Sequence, residues 1–285
     1  LNYNGNQIGL PKRMNTKVMI YDREAFDAAA VALPSGEWTP ADYAEAARRL
    51  TRRSGDLVER WGSGPLVIWN WFTAFGAKLY SDDGKQALFT SPQVIEATEF
   101  MLGLHKEYAG WFDDFPNFNE ALVTGRMAMF ADVGPWYVPD LLANATFEWT
   151  IAPLPGEPLE PEMTGISISK STEHYDAALK FATWVSTSPE AQEIIATGTN
   201  LPVTRDGVYT FVLRRPGANL EAFFDVFERG YQFQPLRQVP LPPGIDAIIW
   251  GKFYDEILVG KVDPITGLQE LQNQVQGMLN QYSAQ

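Results

Sequence analysis

The sequence predicts an α/β fold in which helices dominate and short strands are dispersed among them. Three observations predict it. Four helix entries share one signature, a side-chain acceptor followed by proline, at Thr39-Pro40, Ser91-Pro92, Ser188-Pro189 and Asp263-Pro264. Five short segments of alternating or wholly apolar residues lie between the helical stretches and are not gathered in one half of the chain. Finally, 45% hydrophobic and 20% charged residues over 285 positions supply an ordinary globular core, for one large domain or two interleaved lobes.

In chain order, strands are expected at 7–10 and 17–21. At Thr39 the side chain accepts from an early helical amide, and Pro40 gives up only an amide that would be unpaired anyway. Tyr43, Ala44, Ala47 and Leu50 then recur at helical spacing. After Pro92, a second stripe runs through Val94, Ala97, Phe100, Met101 and Leu104. Strands follow at 127–130, 148–152 and 165–169. Ala177, Ala178, Phe181, Trp184 and Val185 mark an amphipathic helix whose apolar face needs a sheet to cover it. A helix over 245–259 carries Ile248, Ile249, Phe253 and Leu258, and Gly260 is placed to end it. The last helix buries Leu268, Leu271, Val275 and Leu279. The proline-rich stretches 153–161 and 234–243 are stiff and poor in amide donors, so they read as crossings or outer loops.

Composition removes several functions. Lys plus Arg number 22 against 35 Asp plus Glu, a formal net charge of −13, which repels phosphate backbones and argues against a nucleic-acid partner. With no cysteine there is no disulfide, thiol nucleophile or Cys-ligated zinc. His105 and His174 are far apart in sequence and no calcium-loop motif is present, so neither metal nor cofactor is expected. No apolar run reaches the roughly eighteen residues of a membrane span, and the opening residues lack a leader pattern. What the composition favours is aromatic surface: 13% aromatic residues and nine tryptophans, with indoles set in glycine- and asparagine-containing stretches at Trp69–Trp71 and at Trp136. Such rings fill cores, and they also make flat platforms for the C–H faces of sugars.

Six segments in order carry a family resemblance: NQIGLPKRMNTKVMIYDREAF (6–26), GEWTPADYAEAARRLT (36–51), WNWFTAFGAKLYSDDGK (69–85), FNEALVTGRMAMFADVGPW (118–136), TGISISKSTEHYDAALKFATWVSTSPEAQ (164–192) and LPV (201–203). The most specific is the fourth, a helix, a glycine, a small-residue strand and then Gly-x-Trp. Together they resemble the extracellular solute-binding proteins of the maltose-binding type, the receptors of carbohydrate ABC importers. The resemblance implies a periplasmic-binding-protein-like type II fold, mainly its helix-rich C-terminal lobe with a returning segment of the N-terminal lobe. The implied division is 1–13 for the end of the N-terminal lobe and hinge strand, 14–160 for the C-terminal lobe, 161–203 for the returning segment and 204–285 for the rest of the C-terminal lobe. Most of the N-terminal lobe is then expected from upstream sequence or another chain, and the protein is otherwise expected to be a monomer.

The resemblance also implies a sugar held in an inter-lobe cleft, a membrane permease as partner, and a periplasmic or extracellular location, with attachment through the transporter or a lipid anchor. Open α/β sheets bind ligands beyond the carboxyl ends of their strands. That places Asp132, Trp136 and Tyr137, after strand 127–130, at the site. Asp132 accepts from hydroxyls, and Trp136 either stacks on a ring or plugs the core. At least one of Trp69 and Trp71 is expected in the cleft, with Asn70 between them. Asn15 is a ligand contact or a turn asparagine, and Arg205 reaches the ligand or is solvated. Thr164 and Gly165, at the start of the returning segment, complete the candidates. Two alternatives stand beside this reading. A glycoside hydrolase needs two flanking carboxylates; Asp82-Asp83, Asp113-Asp114 and Asp132 are available, but Asp82-Asp83 reads as a hairpin turn and Asp113-Asp114 as a solvated loop. An isolated lobe acting as a protein-interaction module would expose an apolar face.

Overall fold

The computed structural model describes residues 1–3, 6–157, 159, 161–229 and 241–283. A short antiparallel pair, β1 (Asn2–Tyr3) and β2 (Asn6–Gln7), opens the chain. Strands β3 (Leu10–Asn15) and β4 (Val18–Asp22) follow, then helices α1 (Arg23–Ala28) and α2 (Pro40–Leu50). Strands β5 (Arg52–Ser54) and β6 (Leu57–Ser63) lead into α3 (Ile68–Ala74) and α4 (Pro92–Leu104). Next come α5 (Phe118–Val123), β7 (Met127–Val133), α6 (Val138–Asn144), β8 (Trp149–Ala152) and β9 (Glu162–Ile166). The remainder is helical: α7 (Tyr175–Thr187), α8 (Pro189–Thr197), α9 (Arg205–Val212), α10 (Asp225–Arg229), α11 (Ile245–Gly251) and α12 (Pro264–Ser283). None of the described helices is long and apolar enough to cross a membrane.

The main sheet has five strands in the order β5-β6-β7-β4-β8, and only β6 and β7 run parallel. β4 lies between β7 and β8, and every one of its residues is buried. Successive side chains of a strand point to opposite faces, so a strand covered on both sides reads as a continuous apolar run. Val18 and Ile20 accordingly join one core with Phe130, Trp149 and Ile151, while Met19 and Tyr21 join another with Phe26, Tyr43 and Trp71. The sequence signals missed β5 and β6. Arg52, Arg53 and Glu59 are exposed, Val58 is only partly buried, and full burial begins at Trp61. Gly62 is what lets this edge lie against α2: a Cβ there would stand 1.9 Å from the Ala47 carbonyl oxygen.

β3 and β9 pair antiparallel in a separate two-stranded ladder, with Leu10 opposite Ile166 and Asn15 opposite Glu162. The strands expected at 7–10 and 165–169 are both displaced. Pro11, which donates no amide, sits at the register shift between Pro11 and Arg13, and pairing runs on through Asn15. The proline-led helices begin where expected, three of them with a side-chain cap. Thr39 and Asp42 form a reciprocal capping box, Ser188 accepts from the Ala191 amide, and Asp263 Oδ1 accepts from the Thr266 amide at 3.0 Å. Ser91 is the exception: it makes no capping bond and its buried hydroxyl has no partner. The helix expected at 245–259 starts as α11 and widens into a π-helical segment, Lys252–Ile257, before Gly260 at φ 75° turns the chain. The described part of 153–161 has no regular structure before β9, whereas 234–243 lies outside the described residues as far as position 240.

On α7 the expected stripe divides. Ala182 and Val185 are buried, but Phe181 and Trp184 face outward, with Tyr175 and Leu179 exposed beside them.

Candidate ligand-binding cleft

A cleft of about 740 Å3 opens at the carboxyl end of β7. α3 supplies one wall with Trp69 and Asn70, α11 another with Asp246 and Trp250, and Asp132, Tyr137, Lys17 and Glu162 also line it. Residues two apart on a helix point to nearly opposite sides, at about 100° per residue. The pair Trp69 and Trp71 therefore divides. Trp69 enters the cleft, while Trp71 is 2% exposed and packs in the core against Tyr43 and Phe100, each at 4.6 Å between ring centroids.

The polar floor is one connected network. Asn70 Nδ2 donates to the Ala131 carbonyl oxygen at 2.6 Å and to Asp132 Oδ1 at 2.9 Å, which fastens α3 to the end of β7. Lys17 Nζ lies 3.1 Å from the same Oδ1 and 4.3 Å from the centre of the Trp136 ring. Burial raises the Asp132 pKa above the ordinary carboxylate range, against the opposing pull of Lys17 and Asn70. Burial likewise raises the pKa of the Tyr137 phenol. Both contacts of Asp132 fall on one carboxylate oxygen, so Oδ2 has no partner among the described residues.

Trp136 is not among the residues lining the cleft. Its ring folds back over Gly134, where an added Cβ would come within 2.3 Å of it, and it carries Lys17 on its face. The Gly-x-Trp motif thus holds the lysine in place. Asn15 is buried at the end of β3 and its Oδ1 has no partner; it lies outside the lining, but its cross-strand neighbour Glu162 is part of it. Thr164 pairs with Arg13 along the β3–β9 ladder, and Gly165 is covered by Leu1, whose Cδ1 would be 2.0 Å from an added Cβ. Arg205 is exposed on the first turn of α9, its guanidinium 5.9 Å from the Tyr209 ring. These last three are also outside the cleft lining.

Most of the lining escaped the sequence reading, including its charged residues Lys17, Glu162 and Asp246 and the second indole, Trp250. Lys17 had a local signal, a charge set immediately before a five-residue buried strand. Trp250 had none of that kind, because only tertiary packing brings α11 opposite α3.

An aromatic cleft at strand ends in a helix-rich α/β scaffold fits the fold that the sequence resemblance implies. The family model for bacterial extracellular solute-binding proteins matches residues 1–218, and the chain belongs to that family. Among curated relatives, the maltotriose-binding protein of Pyrococcus abyssi is 25% identical over 274 residues, covering 90% of this chain and 56% of its own length. The chain thus spans about half the length of that relative. Among solved structures, an ABC substrate-binding protein from Listeria monocytogenes in complex with cycloalternan superimposes with a TM-score of 0.80 at 23% identity, over 98% of this chain and 73% of the other. UgpB from Mycobacterium tuberculosis in complex with glycerophosphocholine gives 0.79 at 20% identity, over 99% and 73%. The fold is therefore that of type II periplasmic-binding-protein-like receptors.

Proposed function

We propose that this chain forms the ligand-binding lobe of an extracytoplasmic receptor that captures a neutral sugar or oligosaccharide and delivers it to an ABC permease. The observation that carries the reading is the cleft itself: indole and phenol rings from separate elements around a polar network built on Asp132, Asn70 and Lys17. Rings of that kind stack on saccharide faces, and ionised groups in a water-poor cleft make the stronger hydrogen bonds to hydroxyls. Charge argues against an anionic ligand. The described lining holds one lysine, already engaged by Asp132, against three carboxylates, Asp132, Glu162 and Asp246. The maltotriose-binding relative and the cycloalternan complex support the same class.

Capture in this reading needs a second lobe, supplied by further sequence of the protein or by another chain. The exposed Tyr175, Phe181 and Trp184 on α7 supply an apolar face for it. Ligand contacts both lobes only when they are closed, so it shifts the population towards the closed form that the permease reads. The protein would act in the periplasm or outside the cell, held at the membrane by its transporter or by a lipid anchor. It would act as a binder and not as an enzyme. Of the carboxylates available for hydrolysis, Asp83 accepts from Ser81 and from the Lys85 amide in a turn and Asp114 accepts from the Trp111 amide, which leaves Asp132 alone of that set in the cleft lining.

Titration calorimetry with neutral oligosaccharides tests the proposal. Micromolar or tighter binding is expected from the two-lobed protein, with weak or no binding from residues 1–285 alone. Tight binding by the single chain would overturn the two-lobe requirement, and no saccharide binding by the two-lobed protein would overturn the receptor reading. The exposed α7 face favours one other reading, a lobe that binds proteins. A mass that rises with concentration in light scattering, without any saccharide affinity, would favour that instead.

A further inference from the structure

The two indoles of the cleft wall, Trp69 and Trp250, come from distant parts of the chain, and one buried hydroxyl ties their supports together. α3, which carries Trp69, begins at Ile68 behind Val67, a residue with no side-chain cap to offer. The first amides of a helix have no partner within it. The Ile68 amide finds its partner in Tyr254, donating to Oη at 2.8 Å, and the same hydroxyl donates to the Leu66 carbonyl oxygen at 3.1 Å. Meanwhile the Tyr254 ring lies 4.1 Å from Trp250 and 4.7 Å from Trp111, centroid to centroid. Tyr254 lies beside Phe253 in the π-helical segment, and both face inward, at 2% and 0% exposure. Phe253 uses that position to pack on Phe72 of α3, at 5.5 Å.

Resting on the receptor reading above, we propose that Tyr254 is a positioning residue for ligand: its hydroxyl caps α3 and thereby fixes Trp69 relative to Trp250. A rigid sugar ring needs both walls at one separation, so the anchor is a condition of saccharide affinity and not only of folding.

The test compares Tyr254→Phe with Thr98→Val in the two-lobed protein. The first keeps every ring contact and removes only the hydroxyl. The second removes a buried hydroxyl in α4 that bonds within its own helix, to the Val94 carbonyl oxygen, outside the cleft. With maltotriose as probe, calorimetry well below the unfolding temperature is expected to show about tenfold weaker binding for Tyr254→Phe, which loses both hydrogen bonds of the hydroxyl, and no change for Thr98→Val. Equal affinity of wild type and Tyr254→Phe, or the same loss in both variants, would overturn the positioning role and leave the receptor reading intact. Should wild type bind no saccharide, the receptor reading fails and amide exchange without ligand judges the anchor. Faster exchange at Ile68 in Tyr254→Phe with α4 unchanged supports it; unchanged exchange at Ile68 overturns it.

Discussion

Around the five-stranded sheet, Trp71 and Trp149 are at most 2% exposed, whereas on α7 the aromatic Tyr175, Phe181 and Trp184 stand 57, 57 and 41% exposed. Both regions are rich in large aromatic and aliphatic side chains. The difference lies in their surroundings: the sheet is covered on both faces by helices of the same chain, and the outer face of α7 is not covered by any described residue. An apolar stripe therefore records that a surface is meant to be covered, and tertiary structure alone says by what.

Trp71→Ala tests the covered side most severely. Removing a fully packed indole leaves a cavity that its neighbours Tyr43 and Phe100 fill only in part, and urea unfolding is expected to show a loss of about 3–5 kcal/mol. Gly62→Ala probes the same region through the backbone. The new methyl would meet the Ala47 carbonyl oxygen at 1.9 Å, so β6 and α2 must separate, at an expected cost of about 1–3 kcal/mol by the same measurement. A value near zero for either would mean that the sheet region is as loosely held as α7.

A third prediction concerns the cleft, where the covered core reaches solvent. Burial holds the Asp132 pKa above its ordinary value, so the folded protein binds that proton more tightly than the unfolded chain does. Its contribution to stability is therefore fully present below the unfolded pKa, declines as pH rises through the folded value, and is level beyond it. Asp42, Asp83 and Asp263, held low by hydrogen bonds, act with the opposite sign and lose their contribution as pH falls. Urea titrations of wild type and Asp132→Asn over a pH series should show the stability of the variant, relative to wild type, rising across the acid window and flattening above it. A difference independent of pH would place Asp132 in a solvated environment and detach it from the buried network.

How much of this was legible in sequence follows from the range of each signal. The helix entries are local, an acceptor and a proline side by side, and the helices start at Pro40, Pro92, Pro189 and Pro264 as those pairs direct. β4 and β7 were legible because burial on both faces makes an apolar run. β6 was not, since its outer residues are charged and only Gly62 marks its close approach to α2. In the cleft, Trp69, Asn70, Asp132 and Tyr137 lie on or next to the strand-end and helix segments that the motifs identify, and all four are in the lining. Glu162 and Trp250 enter through pairing and packing across long sequence separations, which no local pattern encodes. Trp136 shows the converse: its motif is strong, yet the ring serves Lys17.

The smallest expected effect belongs to the uncovered face and bears most directly on the comparison. Phe181 is 57% exposed and its chief aromatic neighbour, Trp184, lies 6.2 Å away in a stacked arrangement that is itself at the surface. Phe181→Ser removes little buried area, so the stability of residues 1–285 should change by no more than about 0.5 kcal/mol, as for most surface substitutions. Its consequence should appear between molecules: weaker concentration-dependent association in light scattering, and weaker docking of whatever lobe covers α7. A loss of stability close to that of Trp71→Ala would show Phe181 to be as well packed as the sheet core. The contrast between the two regions would then disappear, and with it the structural reason to expect a second lobe over α7.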